Sequence, residues 1–171
     1  MAVDLADVAD DGERSPLPPI RIVVAVIANP AGQVLLVRKR GSDTFIQPGG
    51  KPEPGEAPLA ALARELFEEL GLQLRADTAI GLGRFEHWAV NEPGRRVQAQ
   101  AWACQVAGAP VAAAEIAELI WLDPLLPFPV PVAPLSATAI LPAWRAQVAG
   151  ARRGPWRCRR RSTFSSAGTG R

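Results

Sequence analysis

The chain has 171 residues, 48% of them apolar and 21% charged, with a formal net charge of +2. That size suits one domain with an ordinary core, and no apolar run approaches the roughly 18 residues that a membrane span needs. The opening stretch, MAVDLADVADDGERSP, is acidic where a secretory signal would be basic and then apolar, so a cytoplasmic protein without a membrane partner is expected.

The two cysteines, Cys104 and Cys158, belong to no CxxC or Cys/His cluster, which argues against a zinc site or a disulfide framework. The small net charge averages two unlike regions. From Arg145 onward there are eight arginines and no acid, so the body before it carries 11 basic residues against all 17 acidic ones. Residues 1–18 read as a flexible acidic arm, 19–149 as the folded domain and 150–171 as a basic, disordered tail. The tail is rich in Arg, Gly and Ser and lacks apolar periodicity. Nothing in it specifies a nucleic-acid partner.

In chain order, IRIVVAVIA (20–28) is a β-branched run short enough for a buried strand. NPAG supplies turn chemistry and QVLLVRKR (33–40) reads as the partner strand, so the first two elements are expected to form a hairpin. A short strand over 44–47 leads into Pro48, Gly49 and Gly50, which break any regular pattern. A helix is predicted over 58–70, with Pro58 in its first turn and Gly71 at its C-terminal cap. Strands over 80–90 and 97–106, joined through NEPGRR, precede a strand over 116–122. A Pro-rich passage then leads to a helix over 135–148, kinked at Pro142. This order predicts an α/β protein with a mixed β-sheet flanked by helices. Neither GxxxxGK[ST] nor GxGxxG is present.

The predicted helix carries the chemistry. At 100° per residue, Leu59, Leu62, Ala63, Leu66, Phe67 and Leu70 share one arc, and Glu65, Glu68 and Glu69 gather opposite. Like charges three and four residues apart cost a few tenths of a kcal/mol per pair. Arg64 can pair with Glu68, but one guanidinium leaves the cluster two charges in excess. A solvated acidic face is one resolution. A hard divalent cation that takes carboxylate oxygens is the other. Gly49 and Gly50, just upstream, favour the second, because they let backbone approach a metal or a phosphate closely.

From Gly50 the sequence runs KPEPG, Glu56, APLAALA, then Arg64, Glu65, Leu66, Phe67, Glu68, Glu69, Leu70, Gly71 and Leu72. This resembles the Nudix box, G-x5-E-x7-R-E-U-x-E-E-x-G-U, where U is a bulky aliphatic, and every constrained position is filled. The resemblance implies a Nudix-like α/β/α sandwich and a hydrolase of nucleoside diphosphates linked to another group, dependent on Mg²⁺ or Mn²⁺. It implies metal-binding roles for Glu65, Glu68 and Glu69, joined by the carbonyl of Gly50 or Gly49. Arg64 and Glu56 are implied as the pair that orients the loop against the helix.

PGGK resembles members that act on nucleoside triphosphates, giving the monophosphate and pyrophosphate. The alternatives are a nucleoside diphosphate sugar or a dinucleotide as substrate, or a non-catalytic nucleotide-sensing module. Lys51 is a candidate phosphate contact, and Trp88 and Trp102 are candidates for stacking a base. Glu115, Glu118, Glu86 and His87 are candidates for a general base outside the box. The resemblance also admits a homodimer, for which the sequence shows no interface signature.

Overall fold

The computed structural model describes residues 17–153. The expected arm and tail therefore lie almost wholly outside the described residues. Two strands, β1 (Ile20–Val26) and β2 (Val34–Lys39), form the centre and are buried on both faces. Their runs do not alternate because helices cover both sides. Val23, Ala25, Leu35 and Val37 pack toward helix α1 (Pro58–Leu70). The intervening Val24, Val26, Val34 and Leu36 pack toward helix α2 (Leu141–Arg153). The result is the expected α/β/α sandwich, with its strands divided between two sheets.

The hairpin expected between β1 and β2 exists only at its turn. The Asn29 N–H donates to the Gln33 carbonyl and the Leu35 N–H to the Ile27 carbonyl, both at 2.9 Å. Beyond that the strands part. β1 is an inner strand of a four-stranded sheet in the order β4-β1-β6-β5, where β4 is Gly49–Gly50, β5 is Gln73–Trp88 and β6 is Arg96–Ala107. β2 is the middle of a three-stranded sheet, β3-β2-β7, with β3 at Phe45–Ile46 and β7 at Ile116–Leu122.

Each edge of β1 has a long-range partner that displaces β2. On one side β6 runs parallel to it, in register from Ile20↔Val97 to Val26↔Ala103. On the other, β4 pairs antiparallel through Val23↔Gly50 and Val24↔Gly49. That approach needs glycine: a Cβ on Gly49 would lie 2.1 Å from the Val23 carbonyl oxygen. The glycines expected to break the pattern are thus themselves a strand.

β5 begins at Gln73, well before the predicted start at residue 80. It is largely exposed and carries register shifts between Arg75 and Ile80 and between Gly81 and Gly83, which interrupt the alternation a strand leaves in sequence. The last helix is also irregular at its entry. Its turn over Ser136–Ile140 is π-helical, with the Leu141 N–H reaching back to the Ser136 carbonyl. Pro142 has no N–H for the Thr138 carbonyl and its ring would crowd that group, so the widened turn falls immediately before it. The irregularity expected at Pro142 thus stands just before it, and α2 itself runs on through Pro142.

α1 starts with proline in its first turn and ends at Gly71 in the left-handed region (φ 66°), where the Gly71 N–H turns back to the Phe67 carbonyl and the Leu72 N–H to the Leu66 carbonyl. Its orientation differs from the two opposed arcs read from sequence. The buried face consists of Ala61, Leu62, Leu66, Glu69 and Leu70, whereas Phe67 is 61% exposed. The cause lies in β4. A Cβ on Gly50 would fall 2.4 Å from Glu65 Cδ, so the bare glycine edge is where the helix can rest its carboxylates. Among the described residues no helix is long and apolar enough to cross a membrane.

Candidate active site

The rotation of α1 turns part of its acidic row inward. Glu69 is 2% exposed; its Oε2 accepts the Gly49 N–H at 3.2 Å and its Oε1 has no hydrogen-bond partner. Lys39 Nζ stands 3.7 Å from that Oε1 and forms a short ion pair with Glu115. Burial pushes the Glu69 carboxyl up to about 7. Lys39 and the Gly49 N–H oppose the shift, and Glu65 and Glu115 add to it.

Arg64 ties the glycine loop to the helix. Its Nε and Nη2 donate to the two oxygens of Glu56, each at 3.0 Å, and Nη2 also donates to the Lys51 carbonyl at 3.2 Å. Nη1 reaches Glu65 at 3.0 Å and Glu68 at 3.4 Å. The guanidinium hydrogen bonds, with the Glu53 N–H, hold the Glu56 carboxyl below its ordinary range. Bidentate pairing of this kind fixes direction as well as charge, which a lysine would not do.

Beside this cluster a cleft of about 460 Å³ opens between the four-stranded sheet and the start of the last helix. Gly49, Gly50, Lys51, Glu65, Lys39 and Glu115 line one end. Trp88 lines the wall, with the Arg96 guanidinium 5.3 Å from its ring centre. Lys51 reaches Glu92 on the β5–β6 loop at 3.0 Å.

Other expected residues lie elsewhere. Trp102 does not line the cleft but packs in the α1-side core, beneath Gly81. Glu118 is held by Arg38, Glu86 by Arg96, and His87 Nδ1 lies 3.4 Å from the Trp88 carbonyl. Of the base candidates outside the box, Glu115 is the one that reaches the cleft. Sequence reasoning missed Lys39, Gln47, Glu92 and Ser136 as lining residues. None sits in a local pattern that would have marked it.

Among the described residues no three His, Cys, Asp or Glu side chains are already gathered in a metal-holding group. Glu68, 54% exposed at its side chain, is drawn toward Arg64. The donors nonetheless fit a hard divalent ion. Glu69 Oε1 is a buried carboxylate oxygen lacking a hydrogen bond, and the Glu65 carboxylate stands against the space left by the missing Gly50 side chain.

The NUDIX domain model matches residues 18–135. The chain belongs to that family. An RNA pyrophosphohydrolase from Proteus mirabilis is 44% identical to it over 79 residues, 46% of this chain and 40% of that protein. The match thus spans well under half of that relative. Among solved structures, the ORF135 protein of E. coli is 30% identical with a TM-score of 0.64, covering 81% of this chain and 96% of that one. A MutT protein from Methanosarcina mazei Go1 is 28% identical with a TM-score of 0.54, covering 64% and 80% respectively.

Proposed function

We propose that the chain hydrolyses a phosphoanhydride bond in a nucleoside diphosphate linked to another group, with a nucleoside triphosphate as substrate and the monophosphate and pyrophosphate as products. Glu65, Glu68, Glu69 and the Gly50 carbonyl would hold Mg²⁺ or Mn²⁺. The observation that carries this reading is the Glu69 carboxylate, buried at the glycine edge of a substrate-sized cleft with one oxygen on the Gly49 N–H and the other without a hydrogen bond. A divalent ion supplies charge against the phosphate oxygens and lowers the pKa of bound water.

The chain's own groups do the rest. Arg64, gripped by Glu56, keeps the glycine loop in register with α1. Glu115 and Lys39 face the same end of the cleft, where a carboxylate can orient the attacking water and an ammonium can meet developing negative charge. Lys51 contacts phosphate at the mouth, exchanging Glu92 for substrate. Trp88 offers a surface for the base.

The test is a panel of nucleoside triphosphates, nucleoside diphosphate sugars and dinucleotides with Mg²⁺ or Mn²⁺, products being separated by chromatography. Glu69→Gln is expected to lower turnover about 100-fold or more while keeping the melting temperature. Wild-type turnover in that variant would remove Glu69 from the site. A second reading, in which RNA carries the phosphoanhydride, is favoured by the RNA pyrophosphohydrolase relative. Faster turnover of 5′-triphosphorylated RNA than of any free nucleotide would select it.

A further inference from the structure

Apart from Glu69, the buried polar side chains of the described residues are Gln47 and Ser136, each 2% exposed. Gln47 sits in the link between β3 and β4, and Ser136 in the π-helical turn before α2. They meet across 89 residues of sequence, Ser136 Oγ donating to Gln47 Oε1 at 2.5 Å. Both line the cleft. Gln47 Nε2 has no partner.

An amide nitrogen buried without an acceptor is a standing cost, and a leucine of similar volume would fill the position without it. Much of the cleft's lining is apolar. Ile22, Val24, Val97, Leu135 and Ile140 line the cleft with it, and all are apolar. An apolar recess with one oriented polar group is how ligand sites fix the orientation of a flat, mostly apolar ring. Gln47 also lies two residues before Gly49, so one short segment carries both this donor and the glycine edge of the phosphate-facing end. The terminal torsion of glutamine is soft, and the amide can adjust to an entering acceptor.

Building on the nucleotide hydrolase reading, we propose that Gln47 is the base-selecting residue of the cleft and Ser136 its positioning residue. With Oε1 engaged by Ser136, the group left to the substrate is a donor. It matches a keto oxygen at the six-position of a purine or the four-position of a pyrimidine. Guanine and uracil are accepted, and adenine and cytosine, which place an amino donor there, are disfavoured.

The experiment measures kcat and KM for GTP, ATP, UTP and CTP on the wild type, Gln47→Leu and Ser136→Ala. The wild type is expected to prefer GTP to ATP and UTP to CTP by about 10-fold or more in kcat/KM. Gln47→Leu brings both ratios within about 3-fold, chiefly by raising KM for GTP and UTP. Ser136→Ala moves the ratios the same way by less. The double variant Gln47→Leu/Ser136→Ala, which leaves neither member of the pair without its partner, melts no lower than the wild type, as residues kept for stability would not show. Unchanged ratios in Gln47→Leu, or a wild-type preference for ATP and CTP, would overturn the proposal. If the wild type hydrolyses none of the four, the hydrolase reading fails separately. Calorimetric titration of the same nucleotides then reads the same contrast, and equal affinities in the wild type and Gln47→Leu overturn base selection by Gln47.

Discussion

α1 and the segment leading into α2 cover opposite faces of the same central strands, and they furnish the cleft in different ways. The α1 side is charged and local: Glu56, Arg64, Glu65, Glu68 and Glu69 lie within one stretch of chain and bond mainly to one another and to the adjoining glycine loop. The α2 side is apolar apart from Ser136, and its polar contact is made to a residue 89 positions away. A reaction that needs several carboxylates held closely together is served by a contiguous segment, whose internal geometry survives changes elsewhere. Selection of a base needs few polar groups, and these can be drawn from wherever the fold brings apolar walls together.

The sharpest way to break this contrast is at the glycine edge. Gly50→Ala places a Cβ against the end of the flexible Glu65 side chain, so the fold should survive while turnover falls about 10- to 100-fold. Gly49→Ala instead meets backbone, at a φ of 142° that side chains rarely adopt, and is expected to cost about 2–4 kcal/mol of stability. Turnover and urea unfolding measured on both variants separate the two effects. Full activity in Gly50→Ala would show that the Glu65 position is not tied to the reaction.

A second test uses the buried carboxylate. The Glu69 carboxyl is raised from 4.5 to about 7, so between those values the metal-free native chain holds a proton that the unfolded chain has released. Stability of the chelator-treated protein should therefore fall as pH climbs from about 4.5 to about 7, by a few kcal/mol at most, and level off above. Glu69→Gln should flatten that slope, as followed by urea midpoints across the range. A slope of opposite sign would contradict the assignment. The smallest effect belongs to the helix face: Phe67→Ala is expected to shift stability by no more than about 0.5 kcal/mol in the same assay, because the ring lies outside the core.

The residues of the box were legible because their spacing is local and each position has its own chemical requirement. So was α1, whose proline start and glycine stop act within a turn of where they stand. The rotation of α1 was not legible, since both Phe67 and Glu69 lie near the border between its faces and the choice was made by Gly50 from a different element. The β1–β2 hairpin was overread for a similar reason: the turn chemistry was correct, but β6 and β4 compete for the same strand edges from far along the chain. Trp102 resembled a base-stacking residue by its place on a strand beside that of Trp88, yet its side of the sheet was set by the parallel register Ala25↔Trp102. Gln47 and Ser136 left no signal, because neither means anything until the other is beside it.

The parallel pairing of β1 with β6 also governs how the chain reaches this state. β1 is synthesised well before the strand that completes its hydrogen bonding, which spans residues 96–107. Until about 80 further residues are made, a run of buried β-branched side chains has an open edge, and closing so large a loop delays the central sheet. A nascent chain of this protein is therefore most prone to associate with others before β6 appears, and a chaperone that shields IRIVVAV would act early, during synthesis.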